Sequence, residues 1–157
     1  MDIRDILRQA RTRLLEGDYD SALKLYLEAV EQNPDSLAAL NALGFILYFK
    51  NDTERGFGFC RRAVELYPDD AYARKGLGLY LERMGHYEEA VMSVRKAIEL
   101  DPDFVDAYHD LAFIFYKAGD FDSAREWLAR GASKCHDARY RRVFDRFFSK
   151  LDDISPR

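Results

Sequence analysis

Apolar residues recur along the chain in short stripes with three- and four-residue steps, and the stripes are separated by glycine, asparagine or proline. In the segment Tyr108–Phe115, for example, apolar residues fall on one helical face before Gly119 interrupts the pattern. The segment Ala22–Ala29 shows the same period, and its stripe stops before Pro34, because proline disfavours helix at the preceding residue. This alternation predicts an all-α chain of short amphipathic helices.

The breaks between stripes repeat every 34 residues. Pro34, Pro68 and Pro102 are each followed by aspartate, and one more step reaches Asp137, where the proline is missing. Residues that tolerate the left-handed conformation after a helix form a second column at Gly17, Asn51, Gly85 and Gly119. Small residues form a third column at Ala10, Gly44, Gly78 and Ala112. The sequence therefore predicts four copies of one unit, at 3–36, 37–70, 71–104 and 105–138.

Each unit is predicted to contain two helices. The second helix is expected to begin at an aspartate N-cap, except in the third unit, where His86 occupies that place. Small residues let the two helices approach closely, and larger residues fill the space between units. One helix pair cannot bury its apolar face alone, so the pairs must stack.

A 34-residue helix-turn-helix unit with Leu-Gly, Ala, an aromatic residue, Ala and Pro at fixed places resembles the tetratricopeptide repeat (TPR). The segments NALGFILYFKN, KGLGLYLERMGHYEEA and HDLAFIFYKAGDFDSA carry the resemblance, which covers nearly the whole chain. It implies an all-α, right-handed α-solenoid of four TPR units. The departures from the repeat pattern are Gln9 and Arg13 in the first unit, Gly56 and Cys60 in the second, and Arg74 in the third.

Residues 139–154 are predicted to form an amphipathic capping helix that starts near Asp137, followed by a tail at 155–157. The apolar stripe of this helix contains Tyr140, Val143, Phe144, Phe147, Phe148 and Leu151. Because an open solenoid needs a cap, the stripe is expected to cover the last unit. A dimer contact or a partner-binding helix is the alternative.

Composition narrows the class of function. The 157-residue chain has a formal net charge of −4, which argues against a general nucleic-acid-binding protein. No apolar run approaches the ~20 residues that span a bilayer, so no membrane insertion is expected. The first residues lack the apolar core of a signal peptide, and Cys60 and Cys135 form no CxxC motif. We therefore expect reduced thiols and a cytoplasmic protein.

The sequence offers no catalytic constellation, so we expect no enzyme activity, no cofactor and no metal. The three histidines occupy unrelated places in the units, and no nucleophile or metalloprotease motif occurs. Cys60 falls in an apolar helix column, which indicates a core residue. The segment Gly76-Leu77-Gly78 is not followed by the third glycine of the dinucleotide fingerprint, and no predicted strand precedes it.

The TPR resemblance implies that the first helix of each unit lines a concave groove. The predicted partner-binding residues are Arg4, Arg8, Arg11, Asn41, Phe45, Tyr48, Phe49, Tyr72, Lys75, Gly76, Leu79, Asp106, His109, Asp110, Phe113 and Tyr116. They predict a basic end in the first unit, an aromatic middle, and an acidic end in the fourth unit. A solvated helix face explains the arginines equally well, and packing between neighbouring first helices explains some of the aromatic residues.

Gly76 lies inside a predicted helix, where glycine costs about 1 kcal/mol relative to alanine, so a compensating use is expected. With Tyr72 and Leu79 beside it and Ala42 in the preceding unit, Gly76 is predicted to leave a hollow in the groove wall. We expect this hollow to receive a side chain of the partner.

These features predict a non-catalytic adaptor or scaffold that binds an extended or helical segment of another protein. Binding of chaperone C-terminal tails is not expected, because the corresponding groove positions contain Leu7, Arg11, Ala42, Tyr72 and Gly76. Two alternatives stay open: a self-assembling scaffold that pairs through its ends or faces, and a small secretion-type TPR chaperone. Such chaperones tend to carry an N-terminal dimerising extension, whereas the units here start at position 3. We expect a monomer, with a homo-oligomer as the alternative.

Overall fold

Nine α-helices follow one another along residues 1–155, the part of the chain that the computed structural model describes, and these residues contain no strand. The helices are α1 Ile3–Leu15, α2 Tyr19–Gln32, α3 Leu37–Phe49, α4 Thr53–Leu66, α5 Ala71–Arg83, α6 Tyr87–Leu100, α7 Val105–Lys117, α8 Phe121–Lys134 and α9 Ala138–Ile154. The predicted all-α solenoid is confirmed. None of these helices is both long enough and apolar enough to cross a membrane.

The turn inside each helix pair contains one residue with a left-handed backbone. Gly17, Gly85 and Gly119 have φ angles of 78°, 81° and 83°, and Asn51 has a φ angle of 57°. Glycine adopts this conformation without a Cβ clash, and asparagine tolerates it better than most residues. As predicted, the first helix of each unit therefore ends just before a residue of this column.

The second helices of the pairs begin at caps of unequal strength. Asp18, Asp52 and Asp120 each accept a hydrogen bond from the backbone N–H three residues later, at 3.1, 3.3 and 3.1 Å. His86, in the same place before α6, makes no such bond. The helix α6, whose N-cap residue is His86 where the other units have aspartate, therefore lacks their capping hydrogen bond.

The helices of a pair touch at small residues. A Cβ on Gly78 of α5 would lie 2.4 Å from Cγ2 of Val94 in α6, and one on Gly131 of α8 would lie 2.6 Å from Cβ of Tyr108 in α7. Glycine at these places allows the close approach. First helices of neighbouring pairs also touch, since α5 packs against both α3 and α7. Three first helices therefore share one face.

Gly56 stands where the other units have alanine, and the next unit supplies the reason. The buried Tyr80 reaches into this space, so that a Cβ on Gly56 would lie 1.8 Å from the Tyr80 hydroxyl oxygen. The hydroxyl group donates a 2.6 Å hydrogen bond to the carbonyl of Gly44. The missing methyl group in the second unit therefore makes room for a tyrosine from the third.

Side-chain donors reach the carbonyl group of each repeat proline. The carbonyls of Pro34, Pro68 and Pro102 accept hydrogen bonds from Arg62, Arg74 and Tyr108, at 3.1, 3.0 and 2.8 Å respectively. Arg74 and Tyr108 occupy the same place in their units. Arg74, which departs from the apolar repeat pattern, therefore makes the same turn contact as the tyrosine of the following unit.

The last helix, α9, packs on the fourth helix pair through one face. Phe144, Phe147 and Leu151 are buried in a cluster that includes Leu128 of α8. Val143 was predicted to belong to this stripe, but it is exposed because it lies on the groove side of α9. Residues 156–157 of the predicted tail lie outside the described residues.

Candidate functional site

The first helices α1, α3, α5 and α7 and the last helix α9 share a face along which four adjoining pockets run. We call this row the groove, and its members in order the α1 pocket, the bridging pocket, the central pocket and the α9 pocket. Leu15 is shared by the first two pockets, Phe45 and Tyr72 by the next two, and His109 and Phe113 by the last two. The groove is therefore continuous from α1 to α9.

The central pocket has a volume of about 300 Å³ and lies between α3, α5 and α7. The predicted residues that line it are Asn41, Phe45, Tyr48, Phe49, Tyr72, Lys75, Gly76, Leu79, His109, Asp110 and Phe113. Gly44, Cys60 and Tyr80 also line it, although the sequence analysis assigned none of them to the groove. Its volume is at the lower limit of small-ligand sites and suits one large side chain.

Three small residues from three helices form the floor of the central pocket. The Sγ atom of Cys60 on α4 lies only 2.5 Å from the place of a Cβ on Gly44 and 3.1 Å from that of a Cβ on Gly76. The equivalent residues in the first and fourth units are the larger Tyr26 and Leu128, so the short Cys60 side chain leaves space here. Burial raises the pKa of the Cys60 thiol to about 12, which fits a structural residue rather than a nucleophile.

Gly76 lines the central pocket beside Tyr72 and Leu79, whereas Ala42 lines the bridging pocket. A side chain at position 76 would project toward Cys60 and into the space above it. The glycine inside α5 therefore keeps the pocket open, which is a use that offsets its low helix propensity.

Aromatic rings form the walls of the central pocket, and they are packed against one another. The Phe45 and Phe49 ring centroids are 4.8 Å apart, and Tyr72 stacks on Phe104 at 6.2 Å. Phe49 and Tyr72 nevertheless keep 59% and 38% of their surface exposed. These rings were expected to serve packing, partner contact or both, and they combine mutual packing with exposed surface.

One ion pair crosses the wall between α5 and α7. The Lys75 Nζ atom lies 3.3 Å from Asp110, and both side chains are largely buried. Lys75 also faces the Tyr72 ring at 5.2 Å and the Phe104 ring at 5.3 Å. The charge of Asp110 is therefore balanced within the pocket wall, and the pair fixes α5 relative to α7.

Asn41 sits between the bridging and central pockets with one polar atom unused. Its Nδ2 group donates a 3.1 Å hydrogen bond to Asp70, the N-cap residue of α5. Its Oδ1 atom is buried and accepts no hydrogen bond from any residue in 1–155. The Asp70 contact fixes the amide orientation, so Asn41 joins α3 to the start of α5.

The ends of the groove differ from the predicted charge pattern. Arg8 and Arg11 line the α1 pocket, whereas Arg4 lies outside all four pockets and pairs with Asp2 at 3.1 Å. Asp106 also lies outside them, beside α9, where burial and the neighbouring Asp106 carboxylate raise the pKa of Tyr140. The structure therefore brings neither Arg4 nor Asp106 into the pocket walls.

The α9 pocket forms the far end of the groove and is lined by His109, Phe113, Tyr116, Val143, Arg146, Phe147 and Lys150. Tyr116 was predicted to lie in the groove, whereas α9 was expected to be a cap, with a dimer contact or a partner-binding helix as the alternative. A repeat signal for α9 was present, because one further step of 34 from Phe113 and Tyr116 reaches Phe147 and Lys150. The helix α9 therefore continues the series of first helices.

Comparison with known families identifies the repeat. Three family profiles, each described as tetratricopeptide repeat, match residues 7–71, 59–92 and 81–143, and together they cover 7–143 without a gap. This chain belongs to the tetratricopeptide-repeat family. A comparison with curated protein sequences gives no match.

Solved TPR structures share the fold of this chain. MamA from Desulfovibrio magneticus RS-1 is 21% identical over 85% of this chain and 75% of its own, with a TM-score of 0.74. YrrB, a TPR protein with an unusual peptide-binding site, is 20% identical over 87% of this chain and 71% of its own, with a TM-score of 0.71. A mutant O-GlcNAc transferase from Thermobaculum terrenum is 25% identical over 84% of this chain but only 26% of its own, with a TM-score of 0.78. The first two likenesses show the fold alone, and the third concerns part of a longer chain.

TPR units are generally non-catalytic interaction modules that present a concave binding surface. Within residues 1–155 of this TPR chain, no group of three or more histidine, cysteine, aspartate or glutamate side chains is placed to hold a metal ion. Its groove combines an apolar cavity, a balanced ion pair and basic residues at the ends. This combination can recognise a ligand by shape and charge.

Proposed function

We propose that this TPR protein is a non-catalytic interaction scaffold whose groove binds a segment of a partner protein. The central pocket is the observation that carries the proposal, because it is an apolar cavity of about 300 Å³ on the face shared by three first helices. Exposed aromatic residues such as Phe49 and Tyr72 at such a cavity are typical of binding surfaces.

The central pocket suits one apolar side chain of the partner as an anchor. Its floor consists of Gly44, Cys60 and Gly76, which present little polar surface, and its walls are mostly aromatic. Burial of a leucine or phenylalanine side chain there would contribute about 1.5–3 kcal/mol. The rest of the segment would lie along the bridging and α9 pockets, which open on either side.

Two contacts hold the pocket in shape before a partner arrives. The Lys75–Asp110 pair joins α5 to α7, and the Asn41–Asp70 hydrogen bond joins α3 to the start of α5. A wall that is already ordered loses less conformational entropy on binding, so more of the contact energy becomes affinity.

The experiment that tests this function fills the pocket and compares it with a matched control. A Gly76→Leu variant places a side chain in the central pocket, whereas Gly58→Leu changes a glycine of α4 whose Cβ would meet no atom within 4 Å. Both substitutions lie inside helices and raise helix propensity. In crosslinking mass spectrometry from native extract, we expect partners crosslinked at the groove with the wild type and Gly58→Leu, and their loss with Gly76→Leu.

Circular dichroism shows whether both variants stay folded. A double variant, Phe45→Ala with Tyr72→Ala, removes side chains from the pocket wall instead of filling the pocket. If the Gly76→Leu protein and this double variant both stayed folded and retained every partner at full strength, groove binding would be excluded. Crosslinks mainly between copies of this chain would favour the self-assembling scaffold instead.

A further inference from the structure

We propose that the groove selects an acidic partner segment, in which carboxylates lie on both sides of one apolar anchor residue. This inference rests on the proposed function, because it names the chemistry of the segment that the same groove binds.

The sign of the charged residues that line the groove carries the inference. The basic lining residues of the four pockets are Arg8, Arg11, Lys75, Arg146 and Lys150, and the acidic one is Asp110. The whole chain has 24 basic and 28 acidic residues, so the groove is opposite in sign to the molecule. Charge concentrated in a cleft attracts ligands of the other sign and speeds their association.

The acidic lining residue is not available to repel a carboxylate. Asp110 lies 3.3 Å from Lys75, and the exposed fractions of the two side chains are 19% and 13%. The pair therefore adds little net charge to the central pocket, and the excess positive charge of the groove belongs to its two ends.

Three of the four end cations are unpaired within residues 1–155, whereas the fourth, Arg8, pairs with Asp5 at 2.7 Å. Among residues 1–155, Arg11, Arg146 and Lys150 form no ion pair. Lys150 lies over the Tyr116 ring at 4.6 Å, which orients its ammonium group without neutralising it. These side chains can therefore pair with carboxylates of a bound segment.

The middle of the groove has a different character from its ends. No charged residue lines the bridging pocket, and the central pocket holds only the balanced Lys75–Asp110 pair. A segment that occupies the whole groove therefore meets cations, then apolar surface, then cations again. Acidic residues that flank an apolar residue match this order.

A single-stranded nucleic acid is the other polyanion to consider, and the middle of the groove does not suit it. Such ligands need cations along the backbone and free aromatic faces on which bases stack. Here no cation lines the bridging pocket, the charge of Lys75 is balanced by Asp110, and Tyr72 already stacks one face on Phe104. We therefore favour an acidic polypeptide and make a nucleic acid an outcome of the test.

The cap helix supplies one of the two basic ends, which indicates that it does more than cover the core. Position 146 continues the small-residue column of Ala10, Gly44, Gly78 and Ala112, where a second helix would require a small side chain. No tenth helix packs there among the described residues, so Arg146 has room to extend along the α9 pocket.

The test begins with selection of random peptides displayed on phage against the immobilised full chain, with the Gly76→Leu variant as counter-selection. We expect the enriched peptides to carry a large apolar residue near the centre and acidic residues on both sides. Enrichment of apolar peptides without acidic flanks would refute this inference and leave the proposed function standing. If no peptide were enriched on the wild type over Gly76→Leu, both proposals would fall.

Fluorescence anisotropy with the best enriched peptide then measures the contribution of the α9 end. Arg146→Glu with Lys150→Glu should weaken binding about tenfold and reduce its dependence on salt. Arg139→Glu with Arg142→Glu makes the same charge change at exposed α9 residues outside the pockets and should change affinity by less than about twofold. Equal effects of the two double variants would reject the role of the α9 end. Tighter binding of labelled oligothymidylate than of the peptide, lost in Gly76→Leu, would replace the acidic peptide by a nucleic acid.

Discussion

The floor and walls of the central pocket depend on pairs of residues in which one side chain is small because a neighbour comes close. Gly44 and Gly76 face the Cys60 sulphur from two helices, and Gly56 makes room for Tyr80. Each glycine costs about 1 kcal/mol of helix propensity relative to alanine, and a close neighbour takes the space of the missing methyl group. The change in stability when such a glycine is replaced by alanine therefore depends on the neighbouring side chain as well as on helix propensity.

At this scale we predict that Gly56→Ala destabilises the protein although alanine favours helix. The new Cβ would lie 1.8 Å from the Tyr80 hydroxyl oxygen, so the ring must move and its hydrogen bond to Gly44 is lost. We expect the free energy of unfolding to fall by about 1–3 kcal/mol, measured by urea denaturation.

Two further variants control this prediction. Gly58→Ala, in the same helix but without a neighbour within 4 Å, should raise the free energy of unfolding by up to about 1 kcal/mol. Gly56→Ala with Tyr80→Ile introduces the alanine and isoleucine found at these places in the neighbouring units. This double variant should recover most of the unfolding free energy that Gly56→Ala alone loses. Strictly additive effects of Gly56→Ala and Tyr80→Ile would show that the two residues are not coupled.

The sequence identified Gly56 and Cys60 as departures from the repeat but did not reveal what they accommodate. A column compares one place across units, whereas Gly56 and Tyr80 belong to different columns in different units. The small residue at position 56 is compensated by the large Tyr80 of the next unit, and this contact depends on three-dimensional packing that a comparison of columns does not contain. Arg74 is similar, because its partner, the Pro68 carbonyl, lies in the preceding turn.

Among the second helices of the four pairs, α6 has the weakest start. Its N-cap place holds His86, which makes no capping hydrogen bond, whereas Asp120 caps α8 with a 3.1 Å bond. We predict that His86→Asp raises the free energy of unfolding by about 1 kcal/mol, because the carboxylate satisfies a backbone N–H group and favours the positive helix end. Thermal or urea unfolding at neutral pH provides the measurement.

The reciprocal variant Asp120→His tests whether the cap is the cause. It should lose about as much stability as His86→Asp gains, because the two helices start in equivalent turns. If aspartate at position 86 had no effect while histidine at position 120 was harmful, the local surroundings of α6 would have to explain the difference.

Helix positions were largely predictable, because proline, glycine and aspartate mark the turns and each acts through the local backbone. For α9 a partner-binding role was only the alternative to capping, although the period of 34 continues into this helix through Phe147 and Lys150. Packing on the fourth helix pair accounts for the apolar stripe of α9, so the stripe alone does not reveal that Arg146 and Lys150 line a pocket. Arg8 and Arg11 line the α1 pocket at the end where basic residues were expected. The sequence alone did not show that Asp110 pairs with Lys75 or that Asp106 lies beside Tyr140 of α9.

At the scale of the whole molecule, polar residues cover both ends of the stack. Gln9 and Arg13 are exposed on α1, and Arg139 and Arg142 are exposed on α9. We predict that the protein is a monomer, and multi-angle light scattering at high concentration should give a mass near 18.3 kDa. A species of twice that mass, stable on dilution, would instead support the homo-oligomer alternative.

The hydrogen bonds to the repeat prolines have a consequence for how such a chain can change in length. Each turn uses its own donor, Arg62, Arg74 or Tyr108, and Tyr80 fits only against a unit that carries glycine at the place of Gly56. A gene rearrangement that deleted the second unit would bring Tyr80 against Ala22, whose methyl group occupies the space that the hydroxyl needs. The four units share one helix-turn-helix architecture, but side-chain pairs cross each boundary between units. Because these pairs differ from boundary to boundary, the units cannot be exchanged or reordered without loss of contacts.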